Sequence, residues 1–258
     1  YLTDLASDTS VSFKSRLRYF RAFDFFHAGY EKSQALLHVM DVHSSDRIEV
    51  SKLALLHLDK SFVTNSQQGL TALNKLLDET YGTEDYIELV ARYTPETENA
   101  RLFQMAMNKS ASVLGRDAGS LLLESAGVSF ITDKLSTLND AKKSALLASL
   151  QTAGSAESVY ILRSVALDVN QPVSVRADAA RFLGGSWPGE EAVVKLLKQN
   201  QIEGAIKEAA LEGVRNAFRE DIKLALAPYF PKPVEQAVVA EEAEQPKSKK
   251  ERRRRRKN

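Results

Sequence analysis

Four histidines and several paired carboxylates are the side chains of this chain best suited to acid–base or metal chemistry. His38 and His43 flank Asp41 in the run His38-Val-Met-Asp41-Val-His43. Two imidazoles and a carboxylate can hold zinc or iron when a loop brings them together. Their five-residue spacing misses the i, i+4 register that puts two ligands on one helix face, so it favours ordinary helix-end histidines. His27 lies one turn from Asp24, but an Asp–His pair without a nucleophile is more simply a helix-terminal hydrogen bond. His57 sits among leucines and is expected as a half-buried polar tip. Met40, Met105 and Met107 read as core filling rather than as haem ligands. The adjacent pairs Glu84–Asp85, Glu190–Glu191 and Glu241–Glu242 point about 100° apart on a helix, which suits solvated helix starts. No phosphate-binding glycine loop and no G-x-S-x-G elbow occurs, and Gly184-Gly185 before Ser186-Trp187-Pro188 reads as a helix stop and turn. No catalytic, metal or cofactor-binding residue is expected within the chain, and no cofactor.

The most conspicuous chemistry is charge. Lys247, Lys249, Lys250, Arg252, Arg253, Arg254, Arg255, Arg256 and Lys257 place nine cations in eleven residues. Such a run binds nucleic acid or an anionic surface by counterion release, with strong salt dependence and little sequence preference. No aromatic follows Tyr229 and Phe230, so base stacking is not supplied. A merely solubilising tail is the plainer alternative. From 232 onward there are ten Lys/Arg against five Asp/Glu, which leaves 25 basic and 29 acidic residues in 1–231. The body is mildly acidic, and attraction to polyanions belongs to the tail.

The chain has 258 residues, 43% hydrophobic and 27% charged, which excludes wholesale disorder and collagen-like structure. It has no cysteine, so disulfides, thiol nucleophiles, Cys-ligated zinc, iron–sulfur clusters and CxxCH haem attachment within it are excluded. No apolar run approaches the ~18 residues of a membrane span. The sequence opens on Tyr1, so its true start is expected upstream and a removed leader is left open. Asn108-Lys-Ser110 matches a glycosylation sequon, as chance alone would give.

The elements that must carry these residues are helices. Apolar residues recur at three- and four-residue spacing, as in Ala35, Leu36, Val39 and Met40, or Leu70, Leu73, Leu76 and Leu77. Interruptions at 41–46, 93–97 and 168–172 help divide the chain into about fourteen helices. Segments 143–150, 176–183 and 207–214 align at offsets of 33 and 31 residues, each opening on a cation and closing on a large apolar residue. Partner helices at 156–166 and 190–197 lie between them. Helix pairs at this period are the mark of an α-solenoid, with Ala145, Ala179, Ala180, Ala209 and Ala210 permitting close approach.

Pro172-Val-Ser-Val-Arg176-Ala-Asp178-Ala-Ala180-Arg-Phe-Leu183-Gly184 resembles the second helix of a HEAT repeat. Pro172 and Ser174 start the helix, the alanine face packs, and Gly184 is expected to take the left-handed C-terminal conformation. Arg16–Phe25, RLRYFRAFDF, shares this spacing and is expected to bury its aromatics Tyr19, Phe20, Phe23, Phe25 and Phe26 against the next repeat. With Lys32-Ser-Gln-Ala-Leu-Leu37, that stretch also resembles the helical-repeat region of large bacterial c-type cytochrome and sugar-dehydrogenase-like proteins. In that family HEAT-like helices accompany a quinoprotein propeller and a CxxCH haem domain. The resemblance covers about twenty residues, and this chain has neither CxxCH nor a propeller. The resemblance therefore implies redox domains outside residues 1–258 and a location in the cell envelope or periplasm. Without it, a cytoplasmic location is expected.

The expected fold is all-α, a right-handed α-solenoid of HEAT-like helix pairs over 1–230, irregular in 1–135 and more regular in 136–230. Residues 231–258 are expected as a disordered linker and basic tail. The expected function is a non-catalytic scaffold or protein-interaction module, with Arg176, Arg181, Lys207 and Glu208 lining its inner face. The alternative is an adaptor that holds nucleic acid or an anionic surface through the tail.

Overall fold

A computed structural model describes residues 1–230 other than 28, 43, 94 and 95. Every regular element among the described residues is helical. The described residues divide into a first unit, Tyr1–Ala217, and a second that starts at Phe218.

The first unit carries α1 (Leu2–Ser7), α2 (Phe13–Ala22), α3 (Tyr30–Met40), α4 (Arg47–His57), α5 (Lys60–Asn65), α6 (Gln67–Thr80) and α7 (Glu84–Tyr93). It continues with α8 (Asn99–Asn108), α9 (Val113–Thr137), α10 (Asp140–Ser149), α11 (Ala156–Leu167), α12 (Val173–Leu183), α13 (Trp187–Lys198) and α14 (Gly204–Gly213). Side chains fix where many of these begin. Ser12, Ser66, Ser112, Asn139, Ser155 and Ser186 each accept the backbone N–H three residues on, a cap that contributes about 1 kcal/mol. Pro172 occupies the position before α12 with no side-chain cap bond, and Pro188 sits in the first turn of α13, where its missing N–H costs nothing. Helix α9 bends at Gly127, whose φ of 78° is open to glycine and strained for other residues.

Packing follows an alternating rule. Helices α8, α10, α12 and α14 contact one another in succession, as do α7, α9, α11 and α13. Nearer the N-terminus, α2, α4 and α6 form a similar succession, and α1 packs on α3. The three aligned segments fall on α10, α12 and α14. Their equivalent positions Leu146, Ala179 and Ala210, and Leu150, Leu183 and Val214, are all buried. Towards the N-terminus the core is built from Leu36, Leu55, Leu73, Leu76, Leu77, Tyr86 and Leu89. Burying one such leucine stabilises the fold by roughly 2 kcal/mol.

Two expectations are corrected. Gly184 has φ −68°, an ordinary helical value, so it is not a left-handed cap. A Cβ there would strike the backbone of Gly213, so glycine is required by close approach of α12 and α14. Of the five aromatics in and after α2, Phe20 and Phe23 are buried, whereas Phe25 and Phe26 stand 90% and 58% exposed. The helix has ended by then: a 3-10 turn over Phe23–Phe25 and an extended Phe26 swing the last two rings off the packed face.

In the second unit, α15 (Glu220–Leu226) is followed by a 3-10 turn over Ala227–Tyr229. Glu220 and Asp221 in its first turn suit the helix dipole and accept from Lys223 and Arg219. The linker and the tail cations Lys247 to Lys257 lie outside the described residues.

Candidate binding groove

Three helices each present a stripe of polar side chains at helical spacing, and the stripes converge. Gln34, Leu37, His38 and Asp41 share one face of α3 and its end; Arg47 and Ser51 share a face of α4; Gln68, Thr71, Ala72, Lys75, Leu76 and Glu79 run along α6. Between them lies a groove of about 500 Å³. Gln34 Nε2 donates to Gln68 Oε1 at 2.8 Å, and Arg47 Nη2 lies 2.6 Å from Glu79 Oε2. These two contacts join helices on either side of the groove. Met40 and Leu76 are buried beneath it.

Ser51 lines the groove with 2% exposure, and its Oγ has no hydrogen-bond partner. The buried hydroxyls of Thr80 and Ser149, by contrast, bond back into their own helices, to Leu76 O and Leu146 O, each at 2.7 Å. An unsatisfied buried hydroxyl costs about 1–3 kcal/mol. Lys75 is an exposed residue of α6 on the same groove, and no carboxylate pairs with it among the described residues.

The sequence candidates separate here. His38 and Asp41 do line one groove, while His43 lies outside the described residues. Among the described residues no three His, Asp or Glu side chains are placed to share a metal ion. Asp24 pairs with His57 rather than His27: Oδ1 lies 2.6 Å from His57 Nδ1, and the ring stacks on Phe20 with centroids 6.1 Å apart. That contact spans 33 residues of chain, beyond the reach of a one-turn argument. Glu84–Asp85 splits as expected of adjacent helical residues: Asp85 accepts from Lys52 Nζ at 2.5 Å, and Lys52 also reaches Glu88 at 2.6 Å. Burial works against the Lys52 charge, but the two carboxylates outweigh it and hold its pKa above the ordinary lysine value. Glu241 and Glu242 lie outside the described residues.

Of the residues assigned to an inner face, Arg176 and Arg181 are engaged in holding helices together, and Glu208 is exposed on α14. Arg181 bonds Asp178 at 2.7 Å and Glu212 at 3.0 Å, and Arg176 Nε donates to Ala166 O at 3.2 Å. Ser144 Oγ donates to Asp178 Oδ2 at 2.6 Å. Ser144–Asp178 and Arg181–Glu212, with Gln34–Gln68 and Lys52–Asp85, join residues 31 to 34 apart on different helices.

Gln34, Arg47, Ser51, Gln68, Lys75 and Glu79 were not singled out from sequence. A polar stripe at i, i+3, i+4 and i+7 beside an equally regular leucine stripe was the available signal on α6. No helix among the described residues is long and apolar enough to cross a membrane. No family model, curated protein or solved structure matches the chain.

Proposed function

We propose that this chain is a non-catalytic helical-repeat interaction module, a right-handed solenoid of HEAT-like helix pairs that holds a protein partner. The observation that carries the reading is that four of its inter-helix polar contacts, Gln34–Gln68, Lys52–Asp85, Ser144–Asp178 and Arg181–Glu212, join residues 31 to 34 apart in both the N-terminal and C-terminal halves, within a wider range of 10 to 38. That spacing matches the period of the aligned segments and is what stacked helix pairs produce. The mechanism is shape: the packed helices frame a groove between α3, α4 and α6 that a partner segment can enter. The likeness of Arg16–Phe25 to the repeat region of c-type cytochrome and sugar-dehydrogenase-like proteins supports a parent redox protein in the cell envelope, whose redox domains lie outside this chain.

Cross-linking the protein in its natural source, followed by mass spectrometry, tests the interaction module. Links from a partner to residues of α3, α4 and α6 are expected, and they should persist when 247–257 are deleted. Links that disappear with the tail would replace this reading with the second one, an adaptor gripping nucleic acid or an anionic surface through Lys247 to Lys257. The density of cations there favours that second reading. Intact mass and visible absorption test the redox parent: a heavier chain with a Soret band is expected, and a colourless chain near 28.6 kDa would remove it.

A further inference from the structure

We infer that the α3–α4–α6 groove binds an extended peptide segment, with an acidic residue of that segment against Lys75 and a polar-tipped side chain reaching Ser51. The inference rests on the interaction-module reading and gives it a site and a ligand class. Four observations converge on it.

The first is the concentration of carboxamides. Gln34, Gln67 and Gln68 all line the groove, and a carboxamide presents one acceptor oxygen and two N–H donors. That is the complement of a peptide backbone, which offers a donor and an acceptor at each residue. The Gln34–Gln68 bond uses one donor and one lone pair, so each of those two side chains retains capacity to bond a passing chain.

The second is the mixed lining. Leu37, Met40, Ala72 and Leu76 give an apolar bed, and about 500 Å³ is room for side chains of a short segment rather than for a folded domain. The third is Ser51. A buried hydroxyl that makes no bond within the protein, at a groove, is satisfied by a group that enters the groove. A hydroxyl, carboxamide or similar tip at the end of an apolar stem fits both the bed and the Oγ.

The fourth is the charge pattern. Arg47 and Glu79 neutralise each other, which leaves Lys75 on α6 as the cation open to a ligand, with Asp41 at the far end of α3. A polyphosphate backbone would meet Asp41 on the same rim, whereas a peptide can present an acid to Lys75 and avoid it. The charge pattern therefore selects a peptide over a nucleic acid.

Display selection of random dodecapeptides on the full chain, at physiological salt, tests this directly. An enriched family carrying a fixed acidic position is expected. Lys75→Glu, on an exposed rim, should exchange that acidic preference for a basic one and weaken the original peptides about tenfold, a loss of about 1.4 kcal/mol. Gln68→Ala should weaken binding without changing the charge preference. Ser51→Val should remove the preference for a polar tip, and because it alters a buried site its thermal unfolding is compared with the parent. Should that variant fail to fold, Lys75→Glu and Gln68→Ala still decide the matter. Enrichment of no peptide overturns the inference, as does a peptide family indifferent to Lys75→Glu. Peptides that bind but ignore all three substitutions leave the interaction module standing and remove this groove from it. Peptides whose binding vanishes on deletion of 247–257 remove both.

Discussion

Gly184 and Gly213 meet backbone to backbone where α12 packs on α14. A Cβ built on Gly184 would overlap the carbonyl carbon of Gly213, and one built on Gly213 would overlap the carbonyl oxygen of Arg181. Backbone cannot move aside as a flexible side chain can. Gly184→Ala is therefore expected to destabilise the chain by about 1–3 kcal/mol, the usual range for overpacking. Gly29→Ala is the matched control, since its Cβ meets nothing within 4 Å. Urea unfolding of the two variants checks the pair, and equal midpoints would remove the close-approach argument.

Arg16 is 2% exposed and its guanidinium bonds Asp46, the residue that precedes α4. The Nε of the same guanidinium has no partner, so Asp46 provides the compensation for a buried charge. Asp46→Asn should cost about 3 kcal/mol, at the low end for a broken buried pair because the carboxylate keeps some contact with water. Arg16→Met, which removes the charge along with its partner's role, should cost less despite deleting more atoms. The order of the two midpoints in urea is the readout, and the reverse order would show that packing of the arginine stem matters more than its charge.

Tyr86 is buried, and its hydroxyl donates to Glu98 Oε2 at 2.7 Å, with Arg101 Nη1 3.5 Å from the same oxygen. Burial, then the bond to Glu98, raises the pKa of the phenol well above its ordinary 10.0. The unfolded chain therefore loses this proton before the folded one does. The contribution is complete below about pH 10 and is lost as pH rises towards the folded value. Tyr86→Phe should cost about 1–2 kcal/mol at neutral pH. It should also lose less stability than the parent between pH 9 and about pH 11. Tyr93, raised by burial in the same way, is present in both proteins and cancels in the comparison. Identical alkaline slopes would remove Tyr86 as their source.

What the sequence disclosed depended on the range of each interaction. Helix-start signals and apolar stripes act within a turn or two, so Pro172 at the start of α12 and the Leu73–Leu76–Leu77 stripe were legible directly. The stacking of α10, α12 and α14 was legible because three copies of one pattern recur, and repetition substitutes for knowledge of contacts. Where a contact joins dissimilar segments, local reasoning had nothing to hold. His27 is the neighbour of Asp24 along the chain, while the fold gives it His57. A glycine after a helix is commonly a left-handed cap, but Gly184 keeps a helical φ of −68° and is required instead by its close approach to Gly213. The groove suffers the same limit: Gln34, Ser51 and Lys75 are ordinary residues singly, and their meaning comes from α3, α4 and α6 facing one space.

If α10, α12 and α14 are equivalent layers of one stack, a layer can be removed. Deleting residues 176–206 joins Val175 to Lys207 at the repeat offset of 31, so the register of the aligned segments is preserved. Buried Ala210 and Val214 then take the places that Ala179 and Leu183 hold in the parent. In a solenoid each layer touches only its neighbours, so stability falls by one unit and one interface while the remaining layers fold as before. The shortened chain should keep the parent's helical signal per residue and a single cooperative unfolding transition, at a lower denaturant midpoint. A globular helical domain with one shared core has no such tolerance, because removing α12, α13 and the buried side chains they carry leaves a cavity that its neighbours cannot close. Loss of helical signal or of cooperativity on this deletion would therefore count against stacked repeats, whatever partner the groove proves to hold.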